Sequence, residues 1–204
     1  MIVIGLTGGI ASGKSLVARE LSREPGIVAI DLDKVAWECY RPGSEVHRLL
    51  VEHFGPEILR ADGGIDRPRL GEIVFSDPKE LEFLDETVHP AVTARLRELI
   101  EAERRRGTRV LILEAALLLE SKWADRSLFD YIVALKVPRE EQLRRLHERD
   151  GLTPEEAKRK IDSQDPKKLE EADYIIDAAG TPEETVARAR ELFASLISKM
   201  AGRT

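Results

Sequence analysis

Gly8-Gly9-Ile10-Ala11-Ser12-Gly13-Lys14-Ser15 is the stretch that decides the fold. It fits the pattern G-x-x-x-x-G-K-[ST] without a mismatch. The run before it, Ile2-Val3-Ile4-Gly5-Leu6, is short and apolar, as a buried parallel strand requires. Leu16 to Leu21 read as a helix, with Val17 and Leu21 one turn apart. Glycines let a strand-to-helix turn bend tightly, so that its N–H groups point inward at phosphate oxygens. The helix N-terminus adds partial positive charge. Lys14 is expected to bridge the β- and γ-phosphates of a nucleotide, and the Ser15 hydroxyl to ligate Mg²⁺. The plain alternative is a glycine-rich turn with an exposed lysine. The strand before and the helix after argue against it.

Outward from this loop, further strands are expected at Ile27–Ile30, Val110–Leu113, Tyr131–Leu135 and Tyr174–Ile176. Helical patterns separate them, which argues a parallel sheet with helices on both faces. Pro25-Gly26 stops the first helix, and Gly107 stops another. Asp77-Pro78, Thr153-Pro154 and Thr181-Pro182 are helix starts, each with a glutamate three residues after the cap. Val92, Leu96, Leu99 and Ile100 stripe a helix distinct from the one that starts at Asp77. Asp62-Gly63-Gly64 reads as a turn. The fold class expected is α/β, a three-layer fold around a phosphate-binding loop (P-loop). Its core covers about 1–33, 107–138 and 170–204. A helical insertion covers about 34–106 and a smaller helical lid about 139–169.

The 204 residues suffice for one such domain. A net charge of −6 and no run of like charges exclude a nucleic-acid tail, so polyanions must be met by local cations. No apolar stretch approaches the roughly 20 residues of a membrane span. Cys39 is the only cysteine, which excludes an intrachain disulfide and fits a reducing cytoplasm. The N-terminus carries no basic segment of the signal-peptide type. Asparagine is absent altogether, so the guanine-reading Asn-Lys-x-Asp of switch GTPases is absent too. A small chain with inserted helices and an arginine-rich lid points to a small-molecule kinase.

A kinase needs a carboxylate to orient and deprotonate the attacking hydroxyl, and acids on the metal side. Asp31 and Asp33 follow the second strand, where open parallel sheets bind ligands. Asp33 is the candidate base and Asp31 a metal-side or supporting acid. Either could instead cap a helix beginning near Lys34. Glu114 ends the third strand, as a metal-side acid or as a plain edge glutamate. Arg139, Arg144, Arg145 and Arg149 lie on one predicted helix, with Arg145 and Arg149 on one face. Such forks match phosphate oxygens. Alternatively they form a solvated face paired with Glu140, Glu141 and Glu148.

Taken together these residues resemble the dephospho-CoA kinase family along nearly the whole chain. The similarity runs through Ile4–Ser15, Asp31-Leu32-Asp33, Asp62–Arg67 with Leu70 and Val74-Phe75, and His89-Pro90. It continues through Leu117-Leu118-Leu119-Glu120, Gln142–Leu146 with Arg149, Gln164 and Ala172-Asp173. The resemblance implies transfer of the ATP γ-phosphoryl group to the ribose 3′-hydroxyl of dephospho-CoA, with Mg²⁺ as cofactor. Another P-loop nucleoside or nucleotide kinase is the alternative. It implies Asp33, Lys14 and Arg145 as catalytic residues. ATP would be held by Gly8, Gly9, Ile10, Ala11, Ser12, Gly13, Lys14, Ser15, Leu16, Arg145 and Arg149. Asp33, Asp31 and His89 would lie on the substrate side, although a lone histidine before proline also suits a structural role. The helical insertion would hold the CoA moiety. A cytoplasmic monomer or small homo-oligomer, binding neither nucleic acid nor membrane, is expected. This sequence departs from the family pattern at Leu16, Glu114, Ala116, Lys160 and Ala178.

Overall fold

The structure is a computed structural model that describes residues 1–116, 118–119 and 125–202. Two expected positions, Leu117 and Glu120, fall outside the described residues. Five strands form one all-parallel sheet: β1 (Ile2–Gly8), β2 (Ile27–Asp31), β3 (Val110–Glu114), β4 (Tyr131–Lys136) and β5 (Tyr174–Asp177), ordered β2-β3-β1-β4-β5. All five strands lie where the sequence expects them. Every residue of β1 is buried, which is why the central strand reads as an unbroken apolar run. Strand β1 pairs with β3 from Ile2–Val110 to Leu6–Glu114, and with β4 from Ile4–Tyr131 to Gly8–Leu135.

The chain divides into two compact units, Met1–Asp31 with Glu103–Thr204, and Leu32–Ala102. In the first, α1 (Lys14–Leu21) and α8 (Pro182–Ala201) pack on the sheet through Val17, Leu21, Ala189, Phe193 and Leu196. Helices α6 (Arg139–Asp150) and α7 (Pro154–Asp162) form a small pair around Leu146, Ala157 and Ile161. The caps expected at Thr153 and Thr181 are present as reciprocal capping boxes with Glu156 and Glu184.

The second unit holds α2 (Leu32–Cys39), α3 (Glu45–Phe54), α4 (Arg67–Val74) and most of α5 (Pro78–Arg105). Its core is Val46, Leu50, Phe54, Ile58, Ile65, Leu70, Val74 and Val88. The turn at Asp62-Gly63-Gly64 is a tight one, closed by Arg60 N–H to Gly64 O at 2.8 Å and by Gly64 N–H to Asp62 Oδ1 at 2.9 Å. One expectation is corrected. The helix from Asp77 and the stripe from Val92 are not two helices but one of 28 residues, running through Pro90. A proline removes one backbone bond and crowds the preceding turn. Apolar contacts on both sides of it, from Leu81, Leu84 and Val88 to Ala91 and Val92, hold the helix continuous. No helix among the described residues is long and apolar enough to cross a membrane.

Candidate active site

The loop between β1 and α1 is shaped by close approach. A Cβ on Gly8 would lie 2.6 Å from the Leu135 carbonyl oxygen, so only glycine lets β1 turn beside β4. Gly13 sits in the left-handed region at φ +88° as the cap residue of α1. Ala11 adopts φ +58°, a conformation unusual for a residue with a side chain and a mark of local strain. Alternating backbone hands of this kind gather successive N–H groups into an anion-binding nest. Lys14 folds back over the loop, its Nζ donating to Gly8 O at 3.0 Å and Gly9 O at 3.4 Å. The Ser12 hydroxyl is buried with no hydrogen-bond partner among the described residues.

Ser15 Oγ donates to Glu114 Oε1 at 2.5 Å. Glu114 is the last residue of β3, and the sheet register sets it beside Leu6 of β1 and Asp31 of β2. The carboxyl edge of the sheet thus presents two acids in one row, next to the first turn of the loop helix. Glu114, read from the sequence as either a metal-side acid or an edge glutamate, lies in hydrogen-bond contact with Ser15.

Helices α6 and α7 meet the tip of the loop. Ile10 and Ala11 pack against their small apolar cluster. Ile10 is held on both backbone sides: Gln142 Nε2 donates to its carbonyl at 2.9 Å, and its N–H donates to Gln164 Oε1 at 2.7 Å. Arg145 spends its fork on backbone and carboxylate rather than on solvent. Nε donates to Glu141 at 2.7 Å, Nη1 to Ala11 O at 3.2 Å, and Nη2 to Ala178 O at 2.8 Å and Gly180 O at 3.1 Å. One guanidinium thereby ties the α6–α7 pair, the phosphate loop and the β5–α8 connection. Arg144 pairs with Glu141 and Glu148, Arg149 with Asp150, and Arg139 with Asp162. The alternative of a salt-bridged helix face therefore describes Arg144, while Arg145 faces the loop.

Two hollows flank the loop. A groove of about 870 Å³ runs along Ala11–Leu16, Arg145 and Arg149 to the segment Ala179–Pro182. A narrower hollow of about 310 Å³ lies at Gly8 and Gly9 between Lys136, Gln142, Ile161 and Gln164. The sequence motifs include Gln142 and Gln164 without a role, and Thr181-Pro182 reads there only as a helix start, not as part of a groove.

In the helical unit, α2 begins at Leu32, so Asp33 lies inside the first turn and is not its cap. Asp33, Trp37 and Tyr40 follow at i, i+4 and i+7 on one face. The Arg67 guanidinium stacks 3.6 Å from the centre of the Trp37 ring. Tyr40 is half-buried. Burial pushes its phenol up to about 12, with Arg67 opposing and Asp33 adding to the shift. His89 lies one turn from Asp85, at 3.6 Å, and burial holds its imidazole below the ordinary histidine value against the pull of Asp85.

A cradle for phosphate with a helical pair seated on its tip defines a class, the P-loop kinases, which use such helices to keep water from the donor. Known proteins narrow it further. The dephospho-CoA kinase family matches residues 2–184. A dephospho-CoA kinase of Geobacillus kaustophilus is 45% identical over 189 residues, covering 90% of this chain and 91% of that one. A crystal structure from Thermus thermophilus superposes with a TM-score of 0.77 at 34% identity, covering 95% and 96% of the two chains. Dephospho-CoA kinase from Campylobacter jejuni superposes at 0.69 with 25% identity, covering 97% and 98%. The chain belongs to the dephospho-CoA kinase family. It is a kinase, and the activity of its family is ATP-dependent phosphorylation of dephospho-CoA to CoA.

Proposed function

We propose that this chain transfers the γ-phosphoryl group of ATP to the ribose 3′-hydroxyl of dephospho-CoA, releasing CoA and ADP. The observation that carries the reading is the Ser15–Glu114 contact at the mouth of the Gly8–Ser15 cradle, in a chain of this family. In this reading the loop amides, with Leu16 behind them, hold the phosphates, and Lys14 moves from the Gly8 and Gly9 carbonyls onto β- and γ-oxygens. Arg145 and Arg149 border the groove that would take the nucleoside part of ATP. Asp33 takes the proton of the acceptor hydroxyl, leaving an oxygen nucleophile for the γ-phosphorus. Asp31 and His89 serve the substrate side, and the helical unit holds the CoA moiety.

The residues at the cradle fit Mg²⁺. A hydroxyl and a carboxylate are hard oxygen donors, as this ion prefers. No group of three or more acids, histidines and cysteines that could hold a metal occurs among the described residues. That suits an ion that arrives on nucleotide phosphates rather than in an all-protein cage. Ser15 would be its direct ligand, with Glu114 and Asp31 behind. When bound, the ion neutralises charge developing on the β- and γ-oxygens. The working form is read as a cytoplasmic monomer or small homo-oligomer, the lone Cys39 suiting a reducing compartment.

An acceptor panel tests the assignment. With ATP and Mg²⁺, ADP release should require dephospho-CoA and match CoA formed one for one. Turnover on nucleosides or nucleotides, with none on dephospho-CoA, would replace it with the other kinase reading.

A further inference from the structure

Three large apolar side chains stand out as exposed: Trp37, Phe75 and Ile175. Trp37 lies one turn beyond Asp33, and neighbouring turns of a helix bring side chains to about 5–6 Å apart. One ring face is covered by the Arg67 guanidinium, yet the residue remains 42% exposed. Arg67 is itself fixed. It is the first residue of α4, set by the Asp66 cap that accepts from Arg69 N–H at 3.2 Å and by Asp66 N–H to Ile58 O at 2.7 Å. The guanidinium thus rests on one face of an indole that is not buried. A tryptophan kept only for packing would sit in the unit's core, and Trp37 is not part of it.

We infer that Trp37 is the platform on which the acceptor's purine base stacks, with Arg67 as the positioning residue that holds the indole flat. This rests on the reading that Asp33 engages the acceptor's 3′-hydroxyl. A nucleoside's 3′-hydroxyl and its base are separated by the width of the ribose. That span is of the same order as the 5–6 Å between helix turns, so one acceptor nucleoside reaches both residues. A planar base over an indole is favourable for any purine because each presents a π-face. The platform therefore selects for a nucleotide-bearing acceptor over a bare pantetheine phosphate. The Arg67 charge beside it suits the acceptor's diphosphate.

The test uses the two tryptophans of the chain. In a Trp123→Phe background the remaining indole fluorescence reports Trp37 alone. Dephospho-CoA should quench it with a midpoint near the KM for that substrate. Trp37→Leu should raise the KM for dephospho-CoA roughly 5- to 100-fold, the range of base–aromatic stacking. Its kcat and KM for ATP should stay near the parent values, and Trp37→Phe should recover most of the loss. Unchanged fluorescence with an unchanged KM in Trp37→Leu, in an enzyme that does turn over dephospho-CoA, overturns the platform. A parent enzyme with no dephospho-CoA turnover removes the acceptor, and the platform with it.

Discussion

Ser15 and Glu114, 99 residues apart, share a hydrogen bond of 2.5 Å from hydroxyl to carboxylate. It joins the first turn of the phosphate-loop helix to the end of the neighbouring strand. The strand register adds Asp31 beside Glu114. Glu114 thus places a carboxylate within hydrogen-bond reach of the Ser15 hydroxyl.

Glu114→Gln should therefore raise the Mg²⁺ concentration needed for half-maximal rate by roughly 10- to 100-fold, as loss of an outer-sphere carboxylate does. A Mg²⁺ titration at fixed ATP measures this. An unshifted titration would return Glu114 to the status of an edge residue.

Gln142 and Gln164 hold the two backbone groups of Ile10 from across the fold, at separations of 132 and 154 residues. A neutral hydrogen bond contributes about 0.5–1.5 kcal/mol. Replacing either by alanine should raise the KM for ATP about 2- to 10-fold, by loosening the loop before the nucleotide arrives. Steady-state kinetics on both single variants would show it.

Arg145→Lys keeps the charge and loses the fork. A lysine cannot serve the Ala11, Ala178 and Gly180 carbonyls together with Glu141. The expected result is a fall of roughly 10- to 100-fold in kcat/KM for ATP, consistent with loss of charge-assisted bonds. Arg144→Lys, on the outward salt-bridged side, should change it little.

The Arg144 and Arg145 hydrogen bonds hold the Glu141 carboxyl down to about 2. A carboxylate with a depressed folded value stabilises the fold fully above its unfolded value, and that contribution is lost as pH falls toward the folded value. The gap in thermal midpoint between the parent and Glu141→Gln should therefore be flat near neutrality. It should narrow below about pH 4.5, the ordinary glutamate range. Its size should not exceed about 4 °C, because the pair is partly exposed. Melting curves across pH measure it.

How much of this was legible beforehand depends on sequence distance. The strands were legible because parallel strands buried on both faces need unbroken apolar runs, and the helix starts because their caps are local. The break expected between Asp77 and Val92 did not occur, since the cost of Pro90 is met by packing that no local pattern reveals. The loop was legible as a motif, and Ser15 with it. Its contacts were not: Glu114 could be read as a metal-side or an edge acid, and Gln142 and Gln164 carried no role, because the sheet order and the segments around α6 and α7 bring all three to the loop. The Trp37–Arg67 stack needs the turn at Asp62-Gly63-Gly64 to return the chain to α2. Only the motif segment around Arg67 hinted at it.

In the proposed reaction the labour is divided, with the Gly8–Ser15 loop holding the donor and Asp33 activating the acceptor. The most direct measurement is the rate of CoA formation by Asp33→Asn, alongside its affinity for ATP. With Asp33 as the base, kcat should fall roughly 10²- to 10⁴-fold, the contribution of a general base, with ATP affinity near the parent value. A parent-like kcat in Asp33→Asn would contradict that role.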